Sequence, residues 1–271
     1  MIKIALAQID TELGNKRKNL RYIASLCKEA ADNKADVICF PELATTGYTP
    51  DLLGTRLWQL SESRGEETDR LLSELAGKLG LIIIAGFIER GERTGQVYNS
   101  AGVWAPGGQS WLHAQRKIHL WADEKKWFSE GNRCDIITTP LGKIGVMVCY
   151  DLGFPEVARI FALRQVDILF VIAAWSEAEA YIWDINCAAR ALENGVFLVA
   201  VNRWGEEGEL HLFGGSQIMA PDGQRVVRAT DKGEALIYGN IDLTQLANVR
   251  MTLPYRKDLK IPFYQDHYNE D

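Results

Sequence analysis

Apolar and polar positions along the chain change their period repeatedly. Residues 2–8, IKIALAQ, alternate and predict a strand. Over 15–35 the apolar residues Leu20, Ile23, Ala24, Leu26 and Cys27 fall at helical spacing. DVICF, 36–40, is a short apolar run bounded by polar residues and Pro41, which suits a strand buried on both faces. The cycle then repeats. An amphipathic helix over 66–80 stops at Gly80, and a strand follows over 81–90.

Two strands, 97–106 and 109–117, are joined around PGGQ (106–109), the turn signal of a hairpin. Farther along, 142–149 predicts a buried strand, 155–165 a helix opening at Pro155, and 166–174 another strand. A helix over 182–195 closes at Gly195, a strand covers 196–203, and a last hairpin pairs 214–221 with 225–231 across DGQ. Alternating strands and helices with several buried strands mean a mixed α/β class. No linker-like or repetitive stretch divides the chain, so residues 1–271 are expected to form a single domain. After about Val249 the pattern loses periodicity and carries Pro254 and Pro262, so 249–271 is expected to wrap over a surface or a partner.

A formal net charge of −6 lacks the basic footprint that nucleic acid requires, and no nucleic-acid partner is expected. The five cysteines are odd in number, widely spaced and free of C-x-x-C pairs. They fit reduced thiols in a cytoplasmic protein better than a disulfide framework. No leader-like N-terminus and no apolar stretch near 18 residues appear, so a soluble protein without membrane contact is expected. Metal-ligand spacings and phosphate-binding glycine loops are missing as well, so neither a metal nor another cofactor is expected.

Chemistry gathers where predicted strands end. Open α/β sheets present their reactive groups beyond the carboxyl ends of the strands. Glu42 follows DVICFP, Lys117 follows QSWLHAQR, and Cys149 ends GKIGVMV. Each residue also has an ordinary reading, as a turn cap, a surface lysine and a core thiol. As a set they are coherent. A thiol becomes a nucleophile by losing its proton, and a carboxylate held out of water is basic enough to take it. An ammonium nearby stabilises an oxyanion. Thiol, carboxylate and ammonium suit acyl transfer from an amide-like carbon.

The chain resembles the nitrilase superfamily of carbon–nitrogen hydrolases along roughly residues 1 to 255. The resemblance rests on FPELATTGY (40–48), RKIHLW (116–121), ADEKKWFSEG (122–131), GVMVCYDLGFPE (145–156), AARALENGVFLVAVNR (188–203) and FGGSQIMAPDG (213–223). It implies a four-layer α-β-β-α sandwich. It assigns Glu42 as general base, Lys117 as oxyanion-stabilising cation and Cys149 as nucleophile. Glu124, seven residues after the lysine, matches the second glutamate of the family's amidases, which orients substrate and lysine. Glu130 is read as surface. The Tyr150 backbone N–H is expected to be the second oxyanion donor, as the residue after a nucleophile at a tight turn. Arg190, Glu193 and Asn194 are expected in structural polar networks, and the family's C-terminal segments imply a homodimer.

Trp175 closes the strand after the nucleophile's helix and is expected to form a substrate-pocket wall. Trp121, Trp127 and Phe128 flank Glu124. His119 lies two residues after Lys117, so a Cys/His hydrolase competes, with a structural histidine as the simpler reading. CYD with FPE looks like the amidase and carbamoylase branches, which implies a small primary amide as substrate. An N-carbamoyl amidohydrolase is the alternative, and a binding protein on a catalytically retired fold is the alternative of another class.

Overall fold

The computed structural model describes residues 1–107, 113–229 and 232–268. Strands β1 (Ile2–Gln8), β2 (Val37–Cys39), β3 (Ile82–Arg90), β4 (Val97–Trp104) and β5 (His113–Arg116) make most of one sheet. Then β6 (Ile137–Thr139), β7 (Gly142–Val148), β8 (Ile168–Ala173) and β9 (Phe197–Asn202) open a second. A ribbon of β10 (Trp204–Glu207) and β11 (Leu210–Phe213) leaves it, and β12 (Gln217–Met219) and β13 (Arg225–Arg228) complete it. Finally β14 (Ala235–Ile241) returns to the first sheet, antiparallel to β1. The strand orders are β14-β1-β2-β3-β4-β5 and β13-β12-β9-β8-β7-β6.

The period of two decides which residue faces what. Ile2, Ile4 and Leu6 of β1, with Val37, Cys39, Ile82 and Ile84, point into a core shared with Ile144, Ile168 and Phe170 of the second sheet. Their neighbours Ala5, Ala7, Ile38, Ile83 and Ala85 face the other way. They meet Leu20 and Ile23 of α1 (Lys16–Asp32) and Leu72 and Ala76 of α4 (Glu67–Leu79); short helices α2 (Pro50–Leu53) and α3 (Arg56–Leu60) lie between these in the chain. After α5 (Glu124–Trp127) come α6 (Pro155–Leu163) and α7 (Ala180–Asn194), which bury Phe161, Trp183 and Cys187 in the core that contains the second sheet. The layers run helix, sheet, sheet, helix, and the central parallel strands β7, β8 and β9 are buried on both faces.

Several features depart from the sequence reading. Strand β6, the β10–β11 ribbon, β14 and the short helices α2, α3 and α5 lie in stretches where no element was expected. The tail is not aperiodic coil: α8 (Gln245–Thr252), α9 (Tyr255–Asp258) and α10 (Ile261–Tyr268) fill most of it. Its helices show no apolar stripe because little of them is buried against their own chain, with Leu246 the buried anchor of α8. The expected hairpins reach partly into 108–112 and 230–231, which lie outside the described residues, as do the ends of the tail. Where described, β4 and β5 pair antiparallel, Ser100 opposite Arg116.

Candidate active site

Glu42, Lys117 and Cys149 each follow a strand end, and the fold brings them together with Glu124. One residue, Phe40, separates Cys39, the last of β2, from Pro41–Glu42, which turn across β3. Gly86 of β3 permits that crossing: a Cβ there would lie 2.2 Å from the Leu43 nitrogen and 2.7 Å from the Pro41 oxygen. The Gly86 N–H donates to Pro41 O at 3.2 Å, and Thr45 N–H donates back to Gly86 O at 3.2 Å. Leu43 takes a positive φ of 45° in the turn. Glu42 is left fully buried.

Lys117 comes directly after β5, its N–H donating to Asn99 O at 2.8 Å and its carbonyl accepting from Gly131 N–H at 2.7 Å. Its buried ammonium donates to Glu42 Oε1 at 2.8 Å and to Glu124 Oε1 at 2.7 Å. Asn99 Nδ2 adds a third bond in this cluster, to Glu42 Oε1 at 2.7 Å. Glu124 is held in turn by the Trp121 N–H, which donates to its Oε2 at 3.0 Å. Glu42 Oε2 is buried and has no hydrogen-bond partner among the described residues.

Cys149 sits at the β7 end with φ of 52°, a conformation that costs a non-glycine residue about 1–3 kcal/mol. It opens a 3₁₀ turn, Cys149–Gly153. Two groups hold this turn. Arg190 donates through Nε to Leu152 O and through Nη2 to Gly153 O, both at 3.1 Å, while pairing with Glu193. The buried carboxylate of Asp151 accepts from Val148 N–H at 3.3 Å, Ile118 N–H at 3.2 Å and His119 N–H at 2.8 Å. Asp151 therefore ties the cysteine turn to the two residues after Lys117. His119 belongs to this tie, with Nδ1 2.9 Å from Asp151 Oδ1 and its ring stacked on Phe154 at 3.6 Å.

Burial dominates the electrostatics. It pushes the Glu42 carboxyl pKa up, with Lys117 opposing the shift and Glu124 adding to it. Burial also raises the Cys149 thiol well above its ordinary value, reinforced by Glu42, while Lys117 and the Ala174 backbone amide pull the other way. For Lys117, burial favours the neutral amine, but Cys149, Glu42 and Glu124 outweigh it and hold the pKa well above the usual lysine range. Burial and the neighbouring carboxylates thus disfavour the Cys149 thiolate, while Glu42 and Glu124 favour the charged form of Lys117.

A cavity of about 380 Å³ opens onto Cys149, walled by Tyr48, Trp121, Tyr150, Trp175 and Leu210. Trp175, read from the sequence as a pocket wall, lines this cavity. Asn202 fixes its backbone by accepting from Trp175 N–H at 2.7 Å and donating to Trp175 O at 3.2 Å. Tyr150 lines the same cavity, and its N–H is among the first of the 3₁₀ turn, which have no intrahelical acceptor. Trp121 joins the wall, whereas Phe128 is core, Trp127 bonds Asp51 at 2.5 Å, and Glu130 is exposed. His119 is absent from the cavity lining, which leaves the Cys/His reading without geometry.

Tyr48, Asn99 and Asp151 were not singled out from the sequence. Asn99 had a legible signal, being the polar member of the inward series Val97, Asn99, Ala101, Val103. Tyr48 depends on a distant partner. Glu207 Oε1 accepts from Tyr48 N–H at 2.8 Å and from Thr49 N–H, and Arg203, buried, bonds Glu207 and Asp10.

The fold and this chemistry are those of a thiol-dependent hydrolase. The chain belongs to the carbon–nitrogen hydrolase family, whose model matches residues 3–251. A probable nitrilase of Schizosaccharomyces pombe is 34% identical over 250 residues, covering 91% of each chain. An omega-amidase of Xenopus tropicalis is 30% identical over 262 residues, covering 92% of each. Among solved structures, a carbon-nitrogen hydrolase from Helicobacter pylori superposes with a TM-score of 0.88 at 29% identity, covering 99% of each chain. These likenesses agree with the four-layer sandwich expected from the sequence. No helix among the described residues is long and apolar enough to cross a membrane.

Proposed function

We propose that the protein hydrolyses a small primary amide to a carboxylate and ammonia through a thioester on Cys149. The observation that carries this reading is the buried Glu42–Lys117–Glu124 cluster beside Cys149, which lines a cavity of about 380 Å³. Cys149 Sγ attacks the amide carbon while Glu42 accepts the thiol proton. Negative charge developing on the carbonyl oxygen is met by the Lys117 ammonium and the Tyr150 N–H. Glu42 then returns the proton to the nitrogen, the C–N bond breaks, and ammonia leaves. Water attacks the thioester with Glu42 again as base, releasing the acid and restoring the thiol. Glu124 orients Lys117 and the substrate amide.

Ammonia release from a panel of primary amides tests the reading, with carbon dioxide measured in parallel. Turnover that yields ammonia without carbon dioxide and disappears in Cys149→Ala is the expected result. Stoichiometric carbon dioxide would make the enzyme an N-carbamoyl amidohydrolase. A panel with no turnover, matched by an unchanged Cys149→Ala protein, would point to a binding protein on this fold.

We also infer a homodimer with the C-terminal tail at its interface. Ile160 and Leu163 of α6, Tyr181 and Ile185 of α7, and Met251, Tyr255, Phe263 and Tyr264 of the tail are exposed large apolar residues. Such a concentration marks a contact surface. Truncation after Arg250 is expected to convert the dimer to monomer by light scattering. A truncated protein that stays dimeric and active would remove the tail from the interface.

A further inference from the structure

The cavity that opens onto Cys149 is also lined by Glu179, and neither arginine nor lysine is among its lining residues in the described structure. Lys117 is not among them and is paired with Glu42 and Glu124. Farther out, Arg225 and Arg228 pair with Asp184, and Lys232 with Glu177. A substrate with an anionic end would meet aromatic faces and a carboxylate, with no countercharge.

Glu179 is held rather than loose. Its Oε2 accepts from the Ser176 N–H at 3.1 Å and from the Ser176 hydroxyl, at the start of the 3₁₀ turn Glu177–Glu179 that leads into α7. Ser176 is in turn bridged to Leu212 of β11, so the ribbon and the acid form one rim. Tyr48, Trp121, Tyr150 and Trp175 line the same cavity as Glu179 and Cys149, with Trp121 edge-on to Tyr150 at 4.8 Å. Aromatic faces attract cations, most strongly where water is excluded, and a carboxylate at the end of such a passage adds the countercharge.

We propose that Glu179 selects substrates: the amides this enzyme prefers carry a cationic group, an ammonium or guanidinium, at the end remote from the scissile bond. The inference rests on the amidase reading for its catalytic consequence, but the binding preference does not depend on turnover. Capping its own turn is the other role open to Glu179, and the test must separate the two.

Three amides of matched length supply it: 5-aminopentanamide, pentanamide, and the monoamide of glutaric acid. The cationic amide is expected to exceed the neutral one in kcat/KM by about tenfold, the size of a partly desolvated cation–π and ion-pair contact. It should exceed the anionic one by on the order of 10²-fold. Glu179→Gln keeps an acceptor for Ser176 and should reduce the cationic-to-neutral ratio to near one. Glu179→Lys should reverse the order of the charged amides. Binding of the same three compounds to Cys149→Ala, measured by calorimetry, reads the preference even if none is hydrolysed. Equal affinities, a preference for the anion, or a ratio unmoved by Glu179→Gln would overturn the proposal. Failure of all three to react while the cation still binds best would overturn the amidase reading alone.

Discussion

Glu42→Gln is expected to lower kcat/KM for amide hydrolysis by on the order of 10²–10⁴ and to leave no thioester detectable by mass spectrometry. The substitution preserves shape. Glutamine Oε1 keeps both bonds that Glu42 Oε1 now accepts, from Asn99 Nδ2 at 2.7 Å and Lys117 Nζ at 2.8 Å. What it removes is basicity at the other oxygen, which is buried and takes no hydrogen bond among the described residues. Because burial and Glu42 both disfavour the thiolate, the proposed base is needed to take the proton as attack begins. The protein without a base should therefore fail at acylation, before deacylation is reached. Normal acylation in Glu42→Gln would transfer the base role elsewhere, with Glu124 the next carboxylate.

The same assignment fixes the sign of the pH dependence. Burial raises the Glu42 pKa in the folded enzyme, and the carboxylate form is the active base. Activity is then lost as pH falls through that raised value, so the acid limb of kcat/KM should lie above the ordinary carboxylate range. On the alkaline side Lys117 keeps its charge well past the usual lysine range.

The sequence carried the strand ends because chemistry and period coincide there. A buried run stops, and the next residues must either cap it or act. Cys149, Glu42 and Lys117 were legible for that reason, and Glu124 through its spacing within a family pattern. The supports were harder to read. Asp151 is a single acid after the nucleophile, and nothing local says that it accepts N–H groups from Ile118 and His119, more than thirty residues upstream. The Glu207 hold on Tyr48 spans a separation of 159 residues. The missed β14 is only partly buried along most of its length, so its apolar alternation is weak. The tail failed differently. Its apolar residues face outward, and periodicity marks helices only where one side meets a core.

Lys117→Met is expected to lower kcat by on the order of 10²–10³ with a smaller change in KM, because the ammonium meets charge that exists only at the tetrahedral stage. The structure adds a second consequence. Lys117 is the cation shared by two buried carboxylates, Glu42 and Glu124. Removing it leaves both without that partner, and breaking a buried pair in this way costs about 3–5 kcal/mol. Lys117→Met should therefore also unfold at a lower temperature, and a loss of activity alone would be ambiguous. The double variant Lys117→Met, Glu124→Gln separates the causes. It removes one of the stranded charges, so thermal stability should recover in part. The kcat should not recover, since no cation then faces the carbonyl oxygen. Recovery of kcat along with stability would reduce Lys117 to a structural counterion for the two glutamates. An unchanged kcat with a raised KM in the single variant would make it a substrate-binding group instead.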